Sequence, residues 1–168
     1  MPETPFADTI RRFHEAGVRF VVIGGVAMGL HGSSYVTSDV DFAYAVEPEN
    51  VERLAALLAG IHARVLGRPA GDGFVIDPAI LQRVRFLNLK TDMGEVDVLR
   101  EIGGIDSFEG LWDRAVPMDL GGFTAQIASI NDLIAMKRAA NRLKDQNHLY
   151  ELLALKKLLE GEGPSPGE

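Results

Sequence analysis

The sequence contains no cysteine in 168 residues. Disulfides, thiolate nucleophiles and zinc–thiolate sites are thereby excluded. The absence is compatible with a reducing compartment, and a cytoplasmic location is the expectation. Positive charge is in short supply: 17 Lys and Arg stand against 24 Asp and Glu, for a net charge of −7. A uniformly basic surface for nucleic acid is excluded, so attraction to phosphate needs a local patch or bound cations. Long hydrophobic runs are missing too. The longest stretch without a formal charge, Phe20 to Ser38, is 19 residues, enough to span a bilayer on length alone. Its four Gly, three Ser, one Thr and one His argue against a membrane partner. Met1-Pro2-Glu3-Thr4-Pro5 lacks the basic start and apolar centre of a signal peptide.

What is there reads as an ordinary globular chain, 46% hydrophobic and 24% charged. The length suits one domain, which buries roughly 70% of its unfolded surface. Phe6 to Ala16 reads as an amphipathic helix closed by Gly17, and Arg19 to Ile23 as a strand buried on both faces. Gly24-Gly25 stops that strand. Val26 to His31 is expected to be a short helix, Ser33 to Ser38 a loop, and Asp39 to Val46 a second strand. Pro48 to Leu58 has a helix start at Pro48 and Gly60 after its end. Residues 61–83 are ambiguous, with loops around a short strand at Phe74–Ile76. Arg83 to Thr91 and Glu95 to Arg100 form a hairpin pattern across Asp92-Met93-Gly94. A helix at Phe108–Arg114 and a weak strand at Phe123–Ala128 follow. Ser129 caps the first of two helices, 130–143 and 146–160, with Asp132 in the capping-box position. The tail 161–168 reads as disordered. Strands come first and mostly helices after, so the class is α+β (mixed α/β). The expected division is a core over 1–128, a C-terminal helical segment of the same domain over 129–160, and the tail.

Four groups of residues carry chemistry. In Asp39-Val40-Asp41-Phe42 the strand alternation turns both carboxylates to one face, about 7 Å apart, where they can share divalent cations. A solvated strand face explains a lone D-x-D equally well. Glu95-Val96-Asp97-Val98 repeats the alternation. If the two strands pair, Asp97 adds a third carboxylate, and such crowding is better explained by a metal than by stability. Gly24-Gly25 lets backbone approach a ligand and offers amides to phosphate, or is simply a tight turn. The sequence has neither G-x-G-x-x-G nor G-x-x-x-x-G-K-[ST]. Lys137 interrupts the apolar stripe Ile130, Leu133, Ile134, so its ammonium either extends to the surface or reaches a site as a point charge. The segment 130–159 holds six basic and three acidic residues in a chain that is acidic overall.

Together these residues resemble the nucleotidyltransferase superfamily of the DNA polymerase β palm fold. The resemblance rests on Val21-Val22-Ile23-Gly24-Gly25, then 13 residues, then Asp39-Val40-Asp41-Phe42, and later Glu95-Val96-Asp97-Val98. Ile130-Asn131-Asp132-Leu133-Ile134-Ala135-Met136-Lys137 with Asn141-Arg142-Leu143-Lys144-Asp145 resembles the AbiEii-type branch, which includes toxins of toxin–antitoxin systems. The second motif residue is Gly25 where many members have Ser. The resemblance implies a small mixed sheet flanked by helices, with C-terminal helices. It implies transfer of an NMP from an NTP, such as ATP, to a hydroxyl of an RNA end or a protein, with a cognate antitoxin or toxin as a further partner. Asp39, Asp41 and Asp97 would be the catalytic metal ligands for two Mg²⁺, with Mn²⁺ as an alternative. Gly24, Gly25 and Lys137 would hold the nucleotide phosphates, and Asp145 would support that site. Three rivals stand beside this: a nucleotide-binding or regulatory module on the same fold with little or no catalysis, a D-x-D phosphatase, and a sugar-nucleotide glycosyltransferase. The loop-like Ser33–Ser38 before Asp39 disfavours the phosphatase, and the chain's length disfavours the glycosyltransferase.

Overall fold

The computed structural model describes residues 6–161. Helix α1 (Ala7–Glu15) leads into β1 (Phe20–Ile23), whose four residues are all buried. Helix α2 (Gly24–Leu30) begins at the first glycine of the pair, two residues earlier than its apolar pattern suggests. β2 (Asp39–Tyr44), α3 (Pro48–Gly60), β4 (Phe86–Thr91), β5 (Gly94–Leu99), α5 (Phe108–Arg114) and β7 (Thr124–Ile127) all appear where the pattern places them, within a few residues. β3 (Arg64–Val65), α4 (Pro78–Leu81) and β6 (Val116–Asp119) are additions.

The short strand expected at Phe74–Ile76 is not formed. Gly71 and Gly73 take positive φ there, and Asp77 already caps α4 by accepting from the Ile80 amide. The last helices divide differently from the expected 130–143 and 146–160. α6 (Ile130–Ala140) stops at Asn141, which is left-handed at φ 48°, and α7 (Leu143–Glu160) starts immediately after Arg142. Asn tolerates that conformation better than most residues, so it can terminate a helix as glycine does. Ser129 does cap α6, accepting from the Asp132 amide at 3.1 Å. The Asp132 carboxylate does not close the box; both its oxygens accept from Arg114 Nε of α5, at 2.9 and 3.0 Å. Of the tail, only Gly161 lies within the described residues, so the expectation for 162–168 falls outside them. No helix among the described residues is long and apolar enough to cross a membrane.

Seven strands form one mixed sheet in the order β3-β4-β5-β2-β1-β7-β6. β2 sits at its centre, antiparallel to β1 and parallel to β5. The side chains of Val40, Phe42, Val96 and Val98 have no exposure and make one face of the sheet apolar. Helix α1 covers that face: Phe13 stacks on Phe42 with ring centroids 3.9 Å apart, and Phe20 meets Phe42 edge-on at 5.2 Å. Burying three such rings accounts for several kcal/mol of the driving force for folding. With one face committed to the core, the strict alternation of β2 and β5 sends their acidic residues to the other face.

Candidate active site

The register decides whether the carboxylates meet. β2 and β5 run parallel with Asp41 beside Asp97 and Asp39 beside Glu95. Neighbouring strands are about 4.8 Å apart, so paired residues on one face are within reach of each other. Asp39, Asp41 and Asp97 each offer an oxygen, and the three oxygens lie within 4.8 Å of one another. Glu95 is exposed and outside the group. An all-oxygen set of three carboxylates is the donor chemistry of a hard divalent cation such as Mg²⁺ or Mn²⁺.

Electrostatics support the same reading. Burial raises the Asp97 pKa, and hydrogen bonding and repulsion from Asp41 and Asp39 raise it further. Burial also raises Asp41; its hydrogen bond with Asp97 and the nearby Lys137 and Lys144 oppose the rise. Without a cation the cluster therefore holds a proton that its members would lose in water. A carboxyl whose pKa is raised on folding favours the folded state at low pH and loses that contribution as pH climbs above the ordinary carboxylate range. The metal-free protein is thus expected to melt at lower temperature at pH 9 than at pH 5, by roughly 2–4 °C for ~1 kcal/mol after solvent screening. Mg²⁺ should restore most of the loss, and Asp97→Asn should flatten the profile; melting curves in EDTA and in Mg²⁺ across that range check both.

The two glycines have separate duties. Gly24 adopts φ +70°, and a Cβ there would overlap the Asp41 carboxylate. Its lack of a side chain makes room for the acid as well as for a ligand. A Cβ on Gly25 would come within 2.8 Å of Thr37 and 2.9 Å of Tyr35. Gly25 therefore seats the loop between α2 and β2, in which the Thr37 hydroxyl donates to Asp39 Oδ1 at 2.8 Å. Both glycines line the same cleft as the three aspartates, a space of about 490 Å³.

Lys137 and Lys144 bring positive charge to that cleft from α6 and α7. Lys137 Nζ donates to Asp145 Oδ1 at 3.2 Å. Asp145 has no solvent exposure, so it anchors Lys137 from behind rather than facing the cleft. Arg142 donates to Asp145 from its backbone N–H (3.2 Å) and from Nε (2.6 Å). Burial alone would raise the Asp145 pKa; the hydrogen bonds from Arg142 and Lys137 override it and hold it at about 2. Tyr35, Asn88 and His148 also line the cleft, and sequence reading did not single them out. Asn88 had a readable signal, since it pairs with Asp97 across the β4–β5 hairpin. His148 had only its position, one helical turn after Asp145.

A family model described as a nucleotidyl transferase of unknown function (DUF2204) matches residues 4–161. The chain belongs to this nucleotidyl transferase family. Solved structures with the same fold include a lincosamide antibiotic adenylyltransferase, LnuA, bound to lincomycin. It is 13% identical, with a TM-score of 0.60, and the match covers 88% of this chain and 94% of that one. ANT(2")-Ia in complex with adenylyl-2"-tobramycin is also 13% identical, with a TM-score of 0.57 and coverage of 95% and 92%. An antigenic nucleotidyltransferase-like protein from Paracoccidioides brasiliensis is 13% identical, with a TM-score of 0.54 and coverage of 92% and 75%. No match was found among curated proteins. As a nucleotidyl transferase, the chain has a mixed sheet that carries its acidic cluster on the two central strands β2 and β5.

Proposed function

We propose that this nucleotidyl transferase moves an NMP from an NTP to a hydroxyl acceptor, with Asp39, Asp41 and Asp97 as its metal-binding catalytic residues. The observation that carries the reading is the convergence of three carboxylates from β2 and β5 on a cleft that also holds Gly24, Gly25 and Lys137. Mg²⁺ or Mn²⁺ held by the three acids would, when bound, neutralise phosphate charge and acidify the acceptor hydroxyl, the arrangement described for two-metal displacement.

The chain's own groups supply the rest. The amides of Gly24 and Gly25, at the start of α2, and the Lys137 ammonium hold the β and γ phosphates. Asp145 holds Lys137 in place by accepting from its Nζ. Asp97 accepts the hydroxyl proton as general base once a bound cation has displaced the proton that the metal-free cluster holds. The acceptor oxygen bonds to the α phosphorus while the bond to pyrophosphate breaks, and pyrophosphate leaves with that bond's electron pair. Oxygens of an acidic chain thus serve a polyanionic substrate through the cations between them.

The acceptor is proposed as an RNA end or a protein hydroxyl, in keeping with the resemblance to the AbiEii-type branch and a role beside a toxin or antitoxin partner. A small-molecule hydroxyl is a second reading. It is favoured by two structural neighbours of nearly the same extent, one bound to an antibiotic and one to an adenylylated antibiotic. Incubation with each labelled NTP, Mg²⁺ and either cellular RNA and protein or a panel of hydroxylated small molecules tests both. Label transfer is expected from the wild type and not from the Asp39→Ala, Asp41→Ala double variant. Saturating Mg²⁺–NTP should also raise the melting temperature, since a ligand at 100 times its Kd stabilises by about 2.7 kcal/mol. Stabilisation without transfer to any acceptor would favour a nucleotide-binding module, and neither effect would sink the enzyme reading.

A further inference from the structure

His148 sits on α7 with 8% of its surface exposed, in the wall of the cleft that holds the three aspartates. Its Nδ1 is the one buried side-chain nitrogen or oxygen without a hydrogen-bond partner among the described residues. Buried polar atoms are nearly always paired, so this one calls for a reason. The ring packs edge-to-face against Tyr35, with centroids 4.2 Å apart and planes at 66°. Tyr35 in turn lies against the backbone of Gly25, where a Cβ would stand 2.9 Å from the ring. One turn further along α7, Glu151 accepts from the Ser33 hydroxyl at 2.7 Å and from the Ser34 amide at 3.1 Å. The loop that delivers Asp39 is therefore pinned to α7, and the His148 ring is clamped between helix and loop.

A clamped ring has a defined proton. A doubly protonated imidazole would bury an unpaired Nδ1–H, and a neutral ring with its proton on Nδ1 would do the same. The arrangement favours the neutral tautomer with the proton on Nε2, and burial, together with Lys137 nearby, lowers the His148 pKa in the same sense. Lys137 and Lys144 line the same cleft and both act electrostatically on His148. A neutral N–H donor beside two ammonium groups suits a polyanion, whose oxygens accept from all three.

Resting on the nucleotidyl-transfer reading, we propose that His148 donates from Nε2 to the polyphosphate of the bound nucleoside triphosphate, and that Tyr35 holds the ring for that contact. The contact is made to the part of the substrate that leaves as pyrophosphate. It distinguishes a triphosphate from a monophosphate product, and Gly25 belongs to it indirectly by giving Tyr35 its seat.

The test is titration calorimetry on the full chain in Mg²⁺ with ATP, inorganic tripolyphosphate and AMP. His148→Phe keeps a ring for Tyr35 and removes the donor, whereas His148→Gln keeps a donor near the place of Nε2. His148→Phe is expected to weaken ATP and tripolyphosphate by about tenfold to a hundredfold, the range for a hydrogen bond to a charged group. AMP binding should not change, and His148→Gln should recover most of the loss. If His148→Phe melts early, Tyr35→Ala is read instead, with the same selective loss for ATP over AMP expected. Equal losses for all three ligands, no loss for any, or no recovery by His148→Gln would overturn the proposal. Asp41→Asn in the same titration separates the two readings. If the wild type binds ATP, Asp41→Asn does not, and His148→Phe matches the wild type, only the role of His148 falls. If the wild type binds none of the ligands, the nucleotidyl-transfer reading falls with it.

Discussion

Asp41→Asn is expected to lower nucleotide transfer at least about a thousandfold while leaving the protein folded. A thousandfold is the loss of roughly 4 kcal/mol of transition-state stabilisation, within the several kcal/mol a bound metal supplies. Asparagine keeps the size and one oxygen of the aspartate, so the space beside Gly24 stays filled. What it removes is charge from a cluster whose three carboxylate oxygens lie within 4.8 Å of one another. The same change relieves repulsion in the metal-free protein, because burial and Asp39 both penalise the ionised Asp41. Activity and stability should therefore move in opposite directions. A variant that loses both would point to a structural role for Asp41 instead. The measurement is single-turnover transfer of labelled NMP beside a melting curve in EDTA at pH 8.

Asp145→Ala is expected to destabilise the fold by about 2–4 kcal/mol and to lower the melting temperature by roughly 5–15 °C. The carboxylate has no solvent exposure and serves Lys137, the Arg142 guanidinium and the Arg142 amide together. Its removal leaves the Lys137 ammonium, with 15% of its side chain exposed, without its counter-charge. It also leaves the start of α7 without the acceptor for its N-cap amide. The pH dependence follows from the lowered pKa of about 2. A depressed carboxyl stabilises the fold above its unfolded value, near 4, and the contribution fades as pH falls toward 2. The gap between wild type and Asp145→Ala in urea unfolding should therefore be full at pH 6 and narrow between pH 4 and pH 2. A gap that stays constant with pH would show that the ion pairs with Lys137 and Arg142 are not its source.

The central strands were readable because their sequence is unambiguous. Alternation in Asp39–Phe42 and Glu95–Val98 fixes which side chains share a face, and a buried apolar face permits no slip by one residue. That the two strands are neighbours is a supposition the register bears out, and the structure adds that Asp41 stands beside Asp97. Lys137 stood out as a charge on an apolar stripe, and it does line the cleft. The weakly patterned regions were less legible. β3 is two residues long and β6 four, too short for a period to show, and Phe74–Ile76 has strand composition but lies between turns. The helix break at Asn141 depends on one left-handed residue, which composition does not announce. Tyr35 and His148 were invisible for a different reason. They are 113 positions apart and meet only because α7 folds back over the loop before β2. The sequence marks Gly24 and Gly25 as a phosphate turn or a plain tight turn; their steric duty toward Asp41, Tyr35 and Thr37 emerges only in the fold.

On the proposed function, Asp39, Asp41 and Asp97 bind divalent metal for work on a nucleoside triphosphate. Loss of the free Mn²⁺ signal in electron paramagnetic resonance, titrated with and without a non-hydrolysable ATP analogue, tests it most directly. Wild type is predicted to take up Mn²⁺, more tightly when the analogue is present, and Asp41→Asn and Asp97→Asn to lose that uptake. Uptake unchanged in both variants, or analogue binding of equal strength in EDTA, would contradict it.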